Sequence, residues 1–564
     1  MKEALKEVFF VADFECADNR KTATNDDELE AWVYLWCLTK CETMEHITGR
    51  SIDDFFKTLF SLTDEQTLLR VNFCNLKYDG LFILDWLINN GFEEKESLRS
   101  NKKYRTLIDG EGNFFHITLQ YNKCRICFED SLKKIPMGVE DMAEALNLPN
   151  KKGSIDYSAV IYPEDEIDKS IIDYCINDCA IVAEAMQKML ISNGFNALTA
   201  SSNAFNHFKT LKHCDFRGRF PILSEEEDVF VRKAYKGGLC LTGDVQTYKG
   251  DVFILDKNSM YPAMMKEHPL PIGKGFYFKG KPKEDKIHPL YVARVILTAK
   301  LKETHFPCLF TKHFFSSKQT FITECYGEVM NLTNVDIETV FENYDVEQLD
   351  FIDGYRYSKC NCVFNSYIDY WYNLKKQAKE EGNMFNYLLA KIFLNSLYGR
   401  FGMRLIMGKQ RLELNDDGIL KGTTTTKRSD GIYIPLAAFT TAWARQDLLR
   451  AANAVGGKKT VLYMDTDSIH TTNPDYAKYL NIDNFEIGAW KLEGIATEGV
   501  YIRQKTYAEF VQNDWIIKCA GMSKKAKKNL TIENFKTGSI ITGNLKQKRV
   551  KGGCILVETT FEIK

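Results

Sequence analysis

The sequence predicts a multidomain chain of mixed α/β and α+β class, and three observations carry that reading. The length of 564 residues corresponds to roughly four domains at ~150 residues each. Apolar strand-like runs alternate with helical patterns over residues 1–200, the order that builds an α/β domain. Charge is segregated along the chain. Residues 1–200 carry 22 basic and 35 acidic side chains, residues 201–490 carry 38 and 34, and residues 491–564 carry 14 and 7. The formal net charge of -2 argues, as a total, against a purely electrostatic nucleic-acid binder, but that total hides an acidic front and a basic tail.

Composition narrows the class further. At 45% hydrophobic and 27% charged, the chain is neither mainly disordered nor collagen-like. No stretch approaches the ~20 apolar residues of a membrane span. The apolar run 8–12 stops at Asp13, too short for a secretory signal, so a soluble cytosolic protein is expected. The 16 cysteines are scattered, which suits free thiols in a reducing compartment. Cys124 and Cys127 form a Cys-x-x-Cys without a second ligand pair. A structural zinc site needs about four ligands, so these two read as apolar positions of a β-ribbon.

The elements follow in order. Residues 7–14 and 33–39 read as buried strands, and 81–89 as a helix stopped by Asn89-Asn90-Gly91. Residues 165–189 carry a helical apolar period, and 192–203 is the expected boundary. A strand over 252–255 ends at Asp256. Residues 268–290, rich in Pro, Gly and Lys, read as a loop or small insertion, and 291–366 as short strands and helices. Residues 366–400 form the longest helical candidate, broken at Glu381-Gly382. Residues 403–433 contain a hairpin signal at Asn415-Asp-Asp-Gly418. Residues 438–455 read as a helix, 460–472 as two strands around a tight turn, and the tail as Lys-rich turns between short strands.

Two sets of carboxylates carry the chemistry. Asp13 and Glu15 end the first strand, where period-two geometry puts both on one side. Two acids held together repel, so an oxygen-preferring cation such as Mg²⁺ is the natural third party. Asp79 opens a helix after an apolar run, and Tyr174 and Asp178 share a helical face at i and i+4. Asp13, Glu15, Asp79 and Asp178, in that order with Tyr174 four before the last, resemble the DEDD exonuclease pattern of DNA polymerases. In that chemistry two metals about 4 Å apart clamp the attacking water and the leaving oxygen of a phosphodiester.

In the second half, Asp465-Thr-Asp467 sits at the tip of the expected hairpin. Asp256, Ser259 and Tyr261 follow another apolar strand. Lys391, Asn395 and Tyr398 fall on one helical face at i, i+4 and i+7. Lysine supplies a point charge for phosphates, and tyrosine a flat surface for a base pair. Lys505 and Tyr507 add a cation and an aromatic suited to a DNA strand.

With these motifs in place, the sequence resembles the protein-primed family B DNA polymerases of small tailed bacteriophages, the phi-twenty-nine type. The likeness extends through Ser131-Leu-Lys-Lys-Ile135, Lys152-Gly-Ser-Ile-Asp-Tyr157, Tyr235-Lys-Gly-Gly238, Thr441-Ala-Trp-Ala-Arg445, Arg503-Gln-Lys-Thr-Tyr507 and Lys518-Cys-Ala-Gly-Met522. The resemblance implies a ribonuclease H-like 3′→5′ exonuclease domain (1–198) and a right-hand polymerase. The latter divides into palm (199–267 and 434–521), fingers (367–402) and thumb (522–564), with two terminal-protein-region insertions (268–366 and 403–433). It implies protein-primed replication of a linear phage genome with strand displacement and proofreading. The implied partners are template-primer DNA, deoxynucleoside triphosphates and a terminal priming protein. The chain would act as a monomer or 1:1 heterodimer with that protein, away from membranes, in the host bacterial cytoplasm.

By the same resemblance, Asp256 and Asp467 hold two Mg²⁺ ions, with Mn²⁺ as a substitute, and Asp465 lies beside them. Asp13, Glu15, Asp79 and Asp178 hold the editing metals, assisted by Tyr174 and Lys152. Tyr261, Lys375, Lys391, Asn395 and Tyr398 bind the nucleotide. Asn75, Ser131, Leu132, Tyr235, Gly237, Gly238, Thr441, Arg445, Lys505 and Tyr507 contact DNA. This sequence departs from its relatives at Cys16, Asn72 and Cys74, neighbours expected to help hold the single-stranded 3′ end. An aromatic lost at position 72 removes base stacking worth ~1–3 kcal/mol, which predicts active but less efficient editing. Lys524, Lys525, Lys527 and Lys528 are expected at phosphates, with a solvated lysine face as the alternative.

Overall fold

The computed structural model describes residues 5–149, 153, 160–211, 216–312, 319–428 and 432–564. Three sheets organise it. The first has eight strands, and its centre is the parallel trio Lys6–Asp18, Thr67–Phe73 and Cys124–Asp130. Antiparallel Ala31–Lys40 pairs with Lys6–Asp18 on the other side. Strands covered on both faces need apolar residues at successive positions, and Phe10, Val11 and Ala12 are all buried. They alternate between two cores. Val11 packs with Cys175 and Cys179 of helix Lys169–Ala185. Phe10, Ala12 and Phe14 pack with Leu81 and Phe82 of helix Leu76–Asn89. The second core is aromatic: Phe14 meets Phe55 edge-on at 4.9 Å between centroids, and Phe56 stacks on Trp86 at 3.7 Å. Such pairs add about 0.5–1.5 kcal/mol beyond burial.

The second sheet has seven strands, with Thr247–Lys257 between Trp490–Arg503 and Ser468–Thr471. Helix Ile434–Ala454 runs behind it with nearly every side chain buried. Helices Asn365–Glu380 and Met384–Phe401 form an antiparallel pair. They break at Gly382, where φ is +70°, and Asn383 caps the second helix by accepting from the Asn386 N–H. The hairpin Ile406–Leu414/Leu420–Arg428 closes on Gly418 at φ +74°, as the Asn-Asp-Asp-Gly signal predicts.

The expected loop at 268–290 is corrected. Leu270–Lys279 is an edge strand of a four-stranded sheet with Tyr344–Cys360, Leu290–Leu301 and Glu324–Thr333. An edge strand tolerates Pro271, and a register irregularity between Ile272 and Phe276 absorbs Gly273 at φ +79°. The strands expected to be short over 291–366 reach 12, 10 and 17 residues. In the tail, Ile540–Val550 and Gly553–Glu562 likewise form a long hairpin.

That last hairpin does not stand alone. Val550, Cys554 and Ile555, with Leu412 and Leu420 of the other hairpin, are buried in the aromatic core of the first sheet. Gln547 donates to the Lys77 carbonyl (3.1 Å), and the Cys554 thiol lies 3.7 Å from the Tyr78 carbonyl. No helix among the described residues is long and apolar enough to cross a membrane.

Candidate active sites

The first site lies where strand Lys6–Asp18 ends. Asp13 and Glu15 sit on the strand face that meets helix Lys169–Ala185. That helix brings Tyr174, Cys175 and Asp178 inward, all buried. Oxygens of Asp13 and Glu15 and the sulfur of Cys175 lie within 4.8 Å of one another. Asp79 enters from the first turn of helix Leu76–Asn89. Burial and then the Asp13 charge push its carboxyl well above the usual range, against an N–H bond from Phe14. Asn75, exposed and at φ 77°, stands at the start of that helix without a side-chain capping bond, and its own N–H donates to Asp130 (3.3 Å). Asp13, Glu15 and Asp79 come together here, and Asp178 is buried on the helix that faces Asp13 and Glu15. An acid kept from ionising by burial and by a neighbouring charge is one that a cation relieves, so the donor set fits an oxygen-preferring divalent ion.

Two expectations at this site are corrected. Ser131 is fully buried and spends its hydroxyl on the Phe73 carbonyl (3.1 Å), so it cannot reach a DNA end. Its neighbour Leu132 is half-buried. Asn72 is also fully buried. It donates to the Phe10 carbonyl (3.2 Å) and accepts from Lys134 (2.7 Å), which pairs with Glu129 (2.6 Å), which in turn binds Arg70. Position 72 is therefore no platform for a base, and the stacking argument for weaker editing falls. Lys152 lies outside the described residues. Cys16 and Cys74 are half-buried, and Cys16 feels Asp79 as a raising influence on its thiol after burial itself. Asp130, missed in the sequence, adds a further carboxylate beside Asp79.

The second site is a cleft of about 540 Å³ lined by Asp256, Asp465, Asp467, Glu493, Lys505 and Tyr507. Asp465 and Ser468 pair across a tight turn, and Thr466 takes φ 55° between them. The same Ser468 pairs with Asp256. Asp467 is pushed up to about 6, first by burial and then by Asp256, with Asp465 and Glu493 adding. Asp465 is already satisfied by Lys505 (2.6 Å), the Tyr463 hydroxyl (3.4 Å) and Thr466 (3.0 Å). Asp256, shared with Lys491 at 3.3 Å, and Asp467 are the pair whose mutual repulsion a divalent ion would relieve.

Around them, Tyr261 and Tyr398 pack at 4.2 Å between centroids, joining helix Met260–Glu267 to helix Met384–Phe401. Lys375 reaches Ser259 (3.4 Å), and its ammonium is held down to about 8 by burial and then by Lys391 and Lys491. Lys391 and Asn395 are exposed on the same helix face as Tyr398. Gly238 is required by space: a Cβ there would stand 2.8 Å from Thr466 Oγ1 and 3.0 Å from the Tyr261 hydroxyl. Gly237 faces open space. The Tyr235 hydroxyl lies over Gly402, where a Cβ would stand 2.5 Å from it.

Thr441 and Arg445 are corrected as DNA contacts, because both are buried. Thr441 bonds the Ala437 carbonyl (3.0 Å). Arg445 donates to the carbonyls of Lys236 (2.7 Å) and Gly237 (3.0 Å) and pairs with Asp336 (2.6 Å). Arg445 holds the Tyr235–Gly238 segment in place. Tyr507 is half-buried against Tyr463 at 4.6 Å. Of the tail lysines, Lys524 pairs with Asp141 (2.7 Å) and Lys525 with Glu558 (3.0 Å), while Lys527 and Lys528 are exposed. Lys491, which pairs with Asp256 (3.3 Å) and Glu493 (2.8 Å), was missed. Its signal was the alternation of Lys491 and Glu493 after Trp490.

With this geometry established, comparison with known proteins decides the family. The profile described as DNA polymerase type B, organellar and viral, matches residues 63–165 and 161–485. The chain belongs to the organellar and viral type B DNA polymerases. The DNA polymerase of Bacillus phage Nf is 32% identical over 98% of this chain and 99% of its own length. The structure of Phi29 DNA polymerase complexed with primer-template DNA and incoming nucleotide substrates superposes with a TM-score of 0.87 at 30% identity, covering 99% of this chain and 100% of that one. Phi29 DNA polymerase complexed with single-stranded DNA gives 0.88 at the same identity and coverage. This type B polymerase therefore carries two separate acidic sites, one on each of its two large sheets. Enzymes of this kind use divalent metal ions, and both donor sets suit them.

Proposed function

We propose that this polymerase extends DNA at the Asp256/Asp467 site and edits 3′ ends at the Asp13/Glu15/Asp79/Asp178 site. The observation that carries the reading is the pair of carboxylate clusters, each with an acid whose proton affinity burial, and then a neighbouring carboxylate, raises. Bound at Asp256 and Asp467, Mg²⁺ or Mn²⁺ would activate the 3′-hydroxyl and neutralise charge on the triphosphate. The chain's own groups do the rest. Lys375 and Lys391 draw the phosphates of a deoxynucleoside triphosphate. Tyr261 and Tyr398 form the floor under sugar and base. Lys505 and Tyr507 hold the primer end beside Asp465, and Arg445 fixes the backbone that shapes the template side. Catalysis is then mostly positioning and charge stabilisation. In the editing site Tyr174 orients the attacking water.

In this reading the exonuclease occupies 1–198, the palm 199–267 and 434–521, the fingers 367–402 and the thumb 522–564. The sheet within 268–366 receives a terminal priming protein, and the hairpin within 403–433 flanks the DNA during strand displacement. The enzyme replicates a linear phage genome in the host bacterial cytoplasm, as a monomer or bound 1:1 to its priming protein. Two substitutions test the division of labour. Asp467→Ala should abolish primer extension and spare single-strand degradation, and Asp13→Ala should do the reverse. Loss of both activities from either folded variant would refute it.

A further inference from the structure

The editing site holds a donor that the carboxylate chemistry does not use. Cys175 follows Tyr174 on helix Lys169–Ala185 and is fully buried. Its thiol points at the strand that carries the acids, with its sulfur 3.8 Å from the Asp13 carbonyl. The sulfur and an oxygen each from Asp13 and Glu15 lie within 4.8 Å of one another. Among the described residues they are the one group of three such side chains so placed. Two donors on one tetrahedral ion sit about 3.5 Å apart, given bonds of about 2.0–2.3 Å, so small side-chain rotations close the set.

We propose that Cys175 makes the editing site a mixed sulfur–oxygen site that captures thiophilic divalent ions, Zn²⁺ or Cd²⁺, ahead of Mg²⁺. The inference rests on the editing reading above. With a hard ion the thiol stays protonated and stands aside, since Mg²⁺ selects oxygen. With a soft ion the S–H bond breaks, a sulfur–metal bond forms, and one proton leaves to the buffer. The polymerisation cleft is lined by carboxylates, an ammonium, a phenol and the imidazole of His470, which Glu509 engages at 2.5 Å, and its lining holds no thiol. Cys240 lies behind it against the Tyr463 hydroxyl at 3.3 Å. Thiophilic ions should therefore stop editing at concentrations that leave extension running.

The test is a Cd²⁺ titration of the full chain in excess Mg²⁺, in a Cys362→Ser background that removes an exposed thiol. It is followed by the ultraviolet charge-transfer absorption of a thiolate bound to cadmium. One Cd²⁺ per chain should give the band. Cys175→Ser should abolish it, Asp13→Asn should weaken binding at least tenfold, and Cys179→Ser should leave it intact. Thermal unfolding checks that each variant is folded, with Cys175→Ala as the second choice. A band of unchanged size in Cys175→Ser, or a titration unmoved by Asp13→Asn, would overturn the proposal. Mg²⁺-dependent degradation of a single strand by the unsubstituted chain separates the two readings. Degradation without a Cys175-dependent band overturns the sulfur donor alone. A Cys175-dependent band without degradation supports the ion site and overturns editing.

Discussion

Lys491 stands opposite Asp256 in the second sheet, in direct cross-strand register, with its ammonium 3.3 Å from the carboxylate. A cation at that distance competes with a divalent ion for the same oxygens. Lys491→Met should lower the Mg²⁺ concentration for half-maximal primer extension by about three- to tenfold, or ~0.7–1.4 kcal/mol. Extension rates across a Mg²⁺ series check this. An unchanged or higher requirement would mean that Lys491 serves the nucleotide instead.

Asp467 makes a pH prediction. Its carboxyl, pushed up to about 6, keeps a proton in the folded chain that the unfolded chain releases near pH 4. Stability of the metal-free protein should thus fall as pH rises from about 4 to about 6 and stay lower above it. Asp467→Asn removes that loss, on the order of 1–3 kcal/mol. It should raise the unfolding temperature of chelator-treated protein above pH 6 and leave it unchanged below pH 4. A gain of equal size at both ends of the range would sink the electrostatic account.

Gly238 sits where a methyl group would press on both the Thr466 hydroxyl and the Tyr261 hydroxyl. Gly238→Ala should displace the turn that carries Asp465 and Asp467. Extension should slow by one to two orders of magnitude, about 1.4–2.7 kcal/mol, while single-strand degradation stays near its original rate. Parallel assays on the two substrates decide it, and equal losses would point to global damage.

The buried chain Asn72–Lys134–Glu129–Arg70 is a stability device. Burial raises the Glu129 carboxyl, and Lys134 and Arg70 pull it below its ordinary value. Lys134→Met leaves Glu129 half-paired and should cost about 3–5 kcal/mol. Asn72→Leu, which strips one partner from Lys134, should cost about 1–3 kcal/mol. Urea unfolding measures both. A loss below ~1 kcal/mol for Lys134→Met would remove the network from the account.

Much of the site was legible because its signals are local. Alternation put Asp13 and Glu15 on one strand face, helical spacing put Tyr174 and Asp178 together, and Glu381-Gly382 marked the break between paired helices. What escaped depends on who lies across a sheet. Lys491 and Glu493 matter because strand register sets them against Asp256, and register is not written in either strand alone. Ser131, Thr441 and Arg445 carry motif residues, yet packing turns each inward onto a backbone carbonyl. Asn72 misled because its reading was carried over from an aromatic in the relatives, whereas here Lys134 holds its side chain inside. The edge strand Leu270–Lys279 was hidden by its Pro and Gly content, which an edge tolerates and a central strand does not.

The docking of the last hairpin against helix Leu76–Asn89 has a consequence in time. Cys554 and Tyr78 touch across 476 residues of chain. At ~5–20 residues per second, a ribosome needs on the order of 25–95 s to travel between them. For that interval the first sheet exists without Val550, Cys554 and Ile555, and Phe82 lacks the Gly553 backbone that lies against its ring. The earliest-made domain is thus finished by the latest-made strands, so an interrupted translation product carries an open apolar seam.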